Sequence, residues 1–259
     1  MSKSRVIVIV QARTGSTRLP NKVLLPLNGH SVLEEVIERV KKAKLIDSIV
    51  VATTMKLSDL KIVQKSIQAN VHIYCGSELD VLDRYYQASR IMKADHVVRI
   101  TADCPLLDAS IIDRVISTHI NSNSDYSSNV SPPTFPDGLD VEVFTFASLF
   151  QAWTNAKLPS EREHVTPYIR NHAELFKQIN IKADNDFSSK RWTLDNSEDY
   201  KFLTKLFQSA KKKNSLQRFT DILKILEKYP ELEKINQNIE RNLGYKKSLI
   251  EDQSKKMED

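Results

Sequence analysis

The chain has 259 residues, 41% of them hydrophobic and 27% charged, with five glycines, two cysteines and a formal net charge of +5. A chain of that length hides roughly three quarters of its unfolded surface, enough for one large α/β domain or two joined subdomains, and its ordinary composition excludes fibrous, disordered and disulfide-framework classes. No apolar run approaches the ~18 residues of a membrane span, the amino terminus lacks a leader's long apolar core, and Cys75 and Cys104 form no framework or metal spacing, so a cytoplasmic protein with no membrane partner is expected.

Residues 5–10 contain five consecutive β-branched apolar residues, as in a strand covered on both faces. This strand empties into "QARTGSTRLPNK", where Arg13, Gly15, Ser16, Thr17, Arg18 and Lys22 crowd together. Hydroxyls, amides and guanidinium groups in such a loop suit a polyphosphate, although Arg13 and Arg18 could also pair with surface acids. Only one glycine is present, which rules out a Walker loop and a dinucleotide fingerprint.

"SVLEEVIERVKKA" opens with Ser31 and Glu34 in capping-box spacing and carries a stripe of Val32, Val36, Ile37 and Val40. "SIVVATT" reads as strand, 58–69 as helix and "VHIYC" as strand. "LDVLDRYYQASRIM" has a helical stripe at Val81, Leu82, Tyr85 and Ala88, followed by the strand "DHVVRIT". Four strands alternating with helices predict an α/β fold with a parallel sheet and right-handed crossovers. Ligands of such a sheet bind beyond the carboxyl ends of its strands, where Thr53, Thr54, Ser77, Thr101 and Asp103 also lie.

Asp103, leaving a strand in "RITADCPLLD", suits either a Mg²⁺ ligand or a helix cap, and Asp108 is the better cap for a helix at 110–119. "SNSDYSSNVSPPTFPDG" is loop-like, and "LDVEVFTF" is a strand carrying Asp140 and Glu142 on one face, toward a ligand or toward water. Asp137-Gly138 is turn chemistry. A helical region contains "EREHVTPYIRNH", in which His164 suits a substrate contact or a structural role. The strand "FKQINIKA" and the short strand "RWTLD" follow, the latter ending at Asp195, which could join Asp103 in a two-point metal site. Helices complete the chain, and the final "YKKSLIEDQSKKMED" reads as a frayed tail. Residues 1–200 balance in charge, and the excess lies in 201–259, with 14 basic and 9 acidic residues. Their alternation looks like solvated helix faces, so no nucleic-acid partner is expected.

The segments "VQARTGSTRLPNKVLLPL", "GSELDVLDRYYQA", "VVRITADCPLLD", "FPDGLDVEVF", "EREHVTPYI" and "TLDNSEDY" together resemble the spore-coat polysaccharide biosynthesis cytidylyltransferases. These belong to a larger group with the CMP-sialic acid and CMP-3-deoxy-manno-octulosonate synthetases. The match covers roughly residues 5–205, which implies a catalytic domain at 1–205 and a helical extension at 206–259 packed on it. The resemblance implies a nucleotidyltransferase of glycosyltransferase-like α/β architecture, a mostly parallel Rossmann-like sheet flanked by helices, that uses CTP, Mg²⁺ and an acidic sugar to make a CMP-sugar and pyrophosphate. A homodimer is the common assembly in that group.

Carried over, Arg13, Ser16, Arg18 and Lys22 hold the triphosphate with Gly15, and Ala12, Thr53, Ser77 and Thr101 lie near cytosine and ribose. Asp103 and Asp195 bind the metal, while Asp137, Asp140, Glu142, Arg162 and His164 shape the acceptor side. Thr17-Arg18 stands where the sialic acid enzymes tend to have a lysine, and Thr101-Ala102 where the octulosonate enzymes have Gln-Gly. The acceptor is therefore open. Rival readings are a CTP-dependent transferase with a phosphate or phosphonate acceptor, a nucleotide-sugar glycosyltransferase and a non-catalytic nucleotide-binding module.

Overall fold

The computed structural model describes residues 4–210 and 216–258. Strand β1 (Val6–Gln11) leads through a loop and a 3-10 turn at Lys22–Leu24 to the small hairpin β2 (Pro26–Leu27) and β3 (His30–Ser31). Helix α1 (Val32–Val40) starts at the expected capping box, with the Ser31 hydroxyl accepting from the Glu34 amide. Then come β4 (Ser48–Thr54), α2 (Leu60–Gln68), β5 (His72–Gly76), α3 (Val81–Ile91), β6 (His96–Thr101) and α4 (Ala109–Ser122), all close to their expected bounds. Asp108 caps α4 by accepting from the Ser110 amide, which leaves Asp103 free of capping duty.

The second half departs from the sequence reading in several places. The loop after α4 contains a short strand β7 (Tyr126–Ser128). Strand β8 is limited to Glu142–Thr145, because Thr145 caps helix α5 (Phe146–Asn155), whose start takes the last residue of the expected strand. The expected helix around "EREHVTPYIRNH" is two pieces, α6 (Pro159–His164) and α7 (Pro167–Asn171). They are separated at Val165, whose φ of 72° reverses the backbone just before a proline that cannot donate to a continuing helix. After β9 (Gln178–Asn180), "RWTLD" is not a strand, and only Arg191 forms a bridge, with Asp137. Its amides serve two different partners, Trp192 donating to the Asp137 carbonyl and Leu194 to the Asp103 carbonyl, so no ladder can propagate. Helices α8 (Ser197–Ser209), α9 (Phe219–Lys228) and α10 (Leu243–Glu258) follow, and α10 occupies most of the stretch expected to fray.

The seven-stranded sheet has the order β5-β4-β1-β6-β8-β7-β9, with β8 antiparallel to both of its neighbours and every other pairing parallel. Alternation along β1 serves two cores. Val6, Val8 and Val10 pack with α1, α4, α8 and α9, while Ile7 and Ile9 pack with α3, α5 and α7. Residues beyond 205 thus share the first core, through Leu216, Ile222, Leu226 and Leu232.

Buried His119 of α4 lies among the hydroxyls of Ser124 and Ser127 and the ring of His96. Burial, helped by His96, pushes it down to about 4 from 6.5. A depressed histidine stabilises the fold above its unfolded pKa, and that contribution is lost as pH falls from 6.5 toward 4. A His119→Gln variant should therefore lose less stability than the wild type across that window, by up to about 3 kcal/mol in chemical denaturation. Parallel stability curves for the two proteins would refute this.

Candidate active site

The carboxyl ends of β1 and β6 open on a cleft of about 430 Å³. Its cationic side is the loop after β1, which is pinned from below by Asp59. That buried carboxylate accepts from the Thr14 amide (2.9 Å) and hydroxyl (2.5 Å) and from the hydroxyls of Thr53 (3.2 Å) and Thr54 (2.5 Å). Burial would raise its pKa, but these donors outweigh burial and hold it below the ordinary value. The Thr14 carbonyl then accepts from the amides of Ser16 and Asn21, which folds the loop back and brings Lys22 into the cleft.

Lys22 Nζ lies 2.5 Å from Asp103 Oδ2 and 2.7 Å from Asp195 Oδ1. Burial would lower the ammonium's pKa, yet the two carboxylates raise it well above its usual value. Burial likewise acts to raise Asp103, but Lys22 overrides it and holds that carboxyl down at about 2. Arg18 reaches Asp195 at 3.2 Å, and Arg13 reaches Glu163 of α6 at 3.5 Å.

Asp195 is held by the buried Arg191, whose fork binds both oxygens of Asp199 at 2.9 Å, Asp137 at 2.9 Å and Asp195 at 3.4 Å. Asp199 also accepts the amides of Asp195 (2.9 Å) and Asn196 (3.0 Å) at the start of α8. The passage of this segment beside the Asp137 turn explains Gly138. Its φ is +105°, and a Cβ there would stand 2.6 Å from the Thr193 nitrogen. Asp137 itself is pushed up to about 7 by burial and by neighbouring Asp140, against the pull of Arg241 and Arg191.

Of the residues singled out from sequence, Ala12, Arg13, Gly15, Ser16, Arg18, Lys22, Thr101, Asp103, Asp137, Asp140, His164 and Asp195 all line this cleft. Four others do not. Thr53 is wholly buried on Asp59, and the Ser77 hydroxyl accepts from the Asp80 amide ahead of α3. Glu142 is buried against Arg99 (2.5 Å), the Tyr126 hydroxyl (2.5 Å) and the Thr166 hydroxyl (2.7 Å), while Arg162 binds Asp80 and the Trp153 carbonyl. Each of these side chains has a partner within the protein.

The cleft also includes groups that the sequence did not single out. Arg84 of α3 is 2% exposed, and its Nε and Nη1 have no partner among the described residues. Buried guanidinium nitrogens without an acceptor are costly. Its spacing offered a signal, because it falls three residues after Val81 and four before Ala88, on the apolar stripe itself. Arg99, Glu163 and residues of α10 complete the lining.

Residues 7–250 match the model of a protein family described as cytidylyltransferase. The chain belongs to the cytidylyltransferase family. The spore coat polysaccharide biosynthesis protein SpsF of Bacillus subtilis is 33% identical over 212 residues, covering 79% of this chain and 87% of that protein. A 3-deoxy-manno-octulosonate cytidylyltransferase of Bdellovibrio bacteriovorus is 30% identical over 120 residues, 45% of this cytidylyltransferase and 47% of that one. Among solved structures, a cytidylyltransferase from Leptospira borgpetersenii superposes with a TM-score of 0.85 at 32% identity, covering 92% of this chain and 99% of that chain. No helix among the described residues is long and apolar enough to cross a membrane.

Proposed function

We propose that this cytidylyltransferase transfers CMP from CTP to an acidic sugar and releases pyrophosphate, for the assembly of a surface glycan. The observation that carries this reading is the Lys22 ammonium joining Asp103 and Asp195 in the cleft that Arg13 and Arg18 also line. The relatives named for octulosonate cytidylylation and spore-coat polysaccharide synthesis support the acceptor class.

Arg13, Arg18 and Lys22 bind the β- and γ-phosphates and stabilise the charge that builds on the departing pyrophosphate. The acceptor oxygen bonds to the α-phosphorus as the bridge to the β-phosphate breaks, a displacement that needs position and charge rather than a protein nucleophile. Arg84 adds a buried positive charge to the wall of the same cleft.

The donor set suits Mg²⁺. No group of three or more His, Cys, Asp or Glu side chains among the described residues could enclose a metal, but Asp103 and Asp195 already converge on one cation. Two carboxylates with phosphates and water completing the shell are what Mg²⁺ takes. Bound there, Mg²⁺ would supply positive charge at the α-phosphate and lower the pKa of the attacking oxygen.

Pyrophosphate release measured with Mg²⁺, each of four nucleoside triphosphates and a panel of sugar acids tests the reading. Release is expected with CTP and one acid. Silence across the panel, without any rise in melting temperature on adding CTP, would overturn it.

A further inference from the structure

We propose that helix α10 forms the acceptor-facing wall of the cleft and sets which acid can enter, an assignment that rests on the proposed function. Gly244, Lys247, Ser248 and Glu251 recur at the spacing of one helical face, and with Tyr245 they all line the cleft. The helix is docked rather than loosely laid. Asp252 accepts the Ser160 amide at 2.9 Å, and the Ser248 hydroxyl bonds Glu163 at 2.9 Å and His164 at 3.0 Å. The Tyr245 ring meets His164 edge-on, with centroids 5.1 Å apart, and lies under Arg170.

The charge on this wall separates it from the triphosphate side. The loop after β1 contributes Arg13, Arg18 and Lys22, whereas the α10 face carries Lys247 and Glu251, paired at 3.9 Å, and the hydroxyl of Tyr245. Such a neutral, hydroxyl-bearing surface is a poor home for a triphosphate and a good one for a polyol with a single carboxylate.

Gly244 gives a clean test, because a Cβ added there meets nothing within 4 Å and its φ is not in the left-handed region. A Gly244→Leu side chain therefore leaves the backbone into free space, and leucine is the better helix former. The variant should melt no lower than wild type and bind CTP with unchanged affinity. Its KM for the acceptor should rise about tenfold or more. Lys247→Ala, at a side chain that is 81% exposed, should raise the same KM while sparing CTP affinity. An unchanged acceptor KM in both variants, or an equal loss of CTP affinity, would overturn the assignment while leaving the wild-type activity to stand. A wild type silent across the acid panel, with no rise in melting temperature on adding CTP, would overturn the proposed function, and this assignment with it.

Discussion

Replacing Asp103 with asparagine should lower pyrophosphate release at least ~10²-fold while the protein still unfolds in one cooperative transition. The amide has the carboxylate's shape but not its charge. Two structural tasks of the residue belong to its backbone carbonyl, which accepts from the Leu194 amide at 2.9 Å and the Thr193 hydroxyl at 3.3 Å, and both survive the substitution. Lys22 keeps Asp195 as a partner at 2.7 Å. The substitution therefore removes charge at the one point where the proposed metal and the ammonium both need it. Steady-state pyrophosphate release with saturating CTP, read beside circular dichroism during heating, makes the comparison. Near-normal turnover would remove Asp103 from the chemistry.

Arg191→Met should cost about 3–5 kcal/mol of folding stability, because it leaves the buried Asp199 carboxylate without its cation. Arg191 is 5% exposed at its side chain and serves Asp137, Asp195 and Asp199, the last through two nitrogens. Asn236 continues to donate to Asp199 at 2.9 Å, but a neutral amide does not balance the charge. Arg191→Lys should recover part of the loss, since it restores charge but cannot reproduce a fork that reaches three acids. Urea unfolding gives the numbers, and a midpoint for Arg191→Met equal to that of wild type would sink the argument. Because the same fork steadies Asp195, this buried network links stability to the cleft.

How far the sequence led can be followed residue by residue. The β-branched run of β1, the Ser31–Glu34 capping box and the stripe of α3 are short-range patterns, and all three appear as expected. The cationic loop after β1 was also legible, since its residue types speak for themselves beside a buried strand. What escaped was pairing over distance. Glu142 and Arg162 look from sequence like ligand contacts, but they are partnered by Arg99 and Asp80, 43 and 82 positions away. Arg84 shares the apolar stripe of α3 in the sequence, but only the closing of the core around it leaves two of its nitrogens unpartnered.

The sequence by itself therefore determined the class of fold, the alternation of β1, β4, β5 and β6 with α1 to α4 and the residue types of the first loop, because caps and periodicities act between residues a few positions apart. Only the tertiary structure decided which polar groups line the cleft, which are spent on one another, and that α10 belongs to the site. The ion pair of Lys22 with Asp195 spans 173 positions, and only the closing of the chain into a sheet and its helices brings such partners within hydrogen-bonding distance.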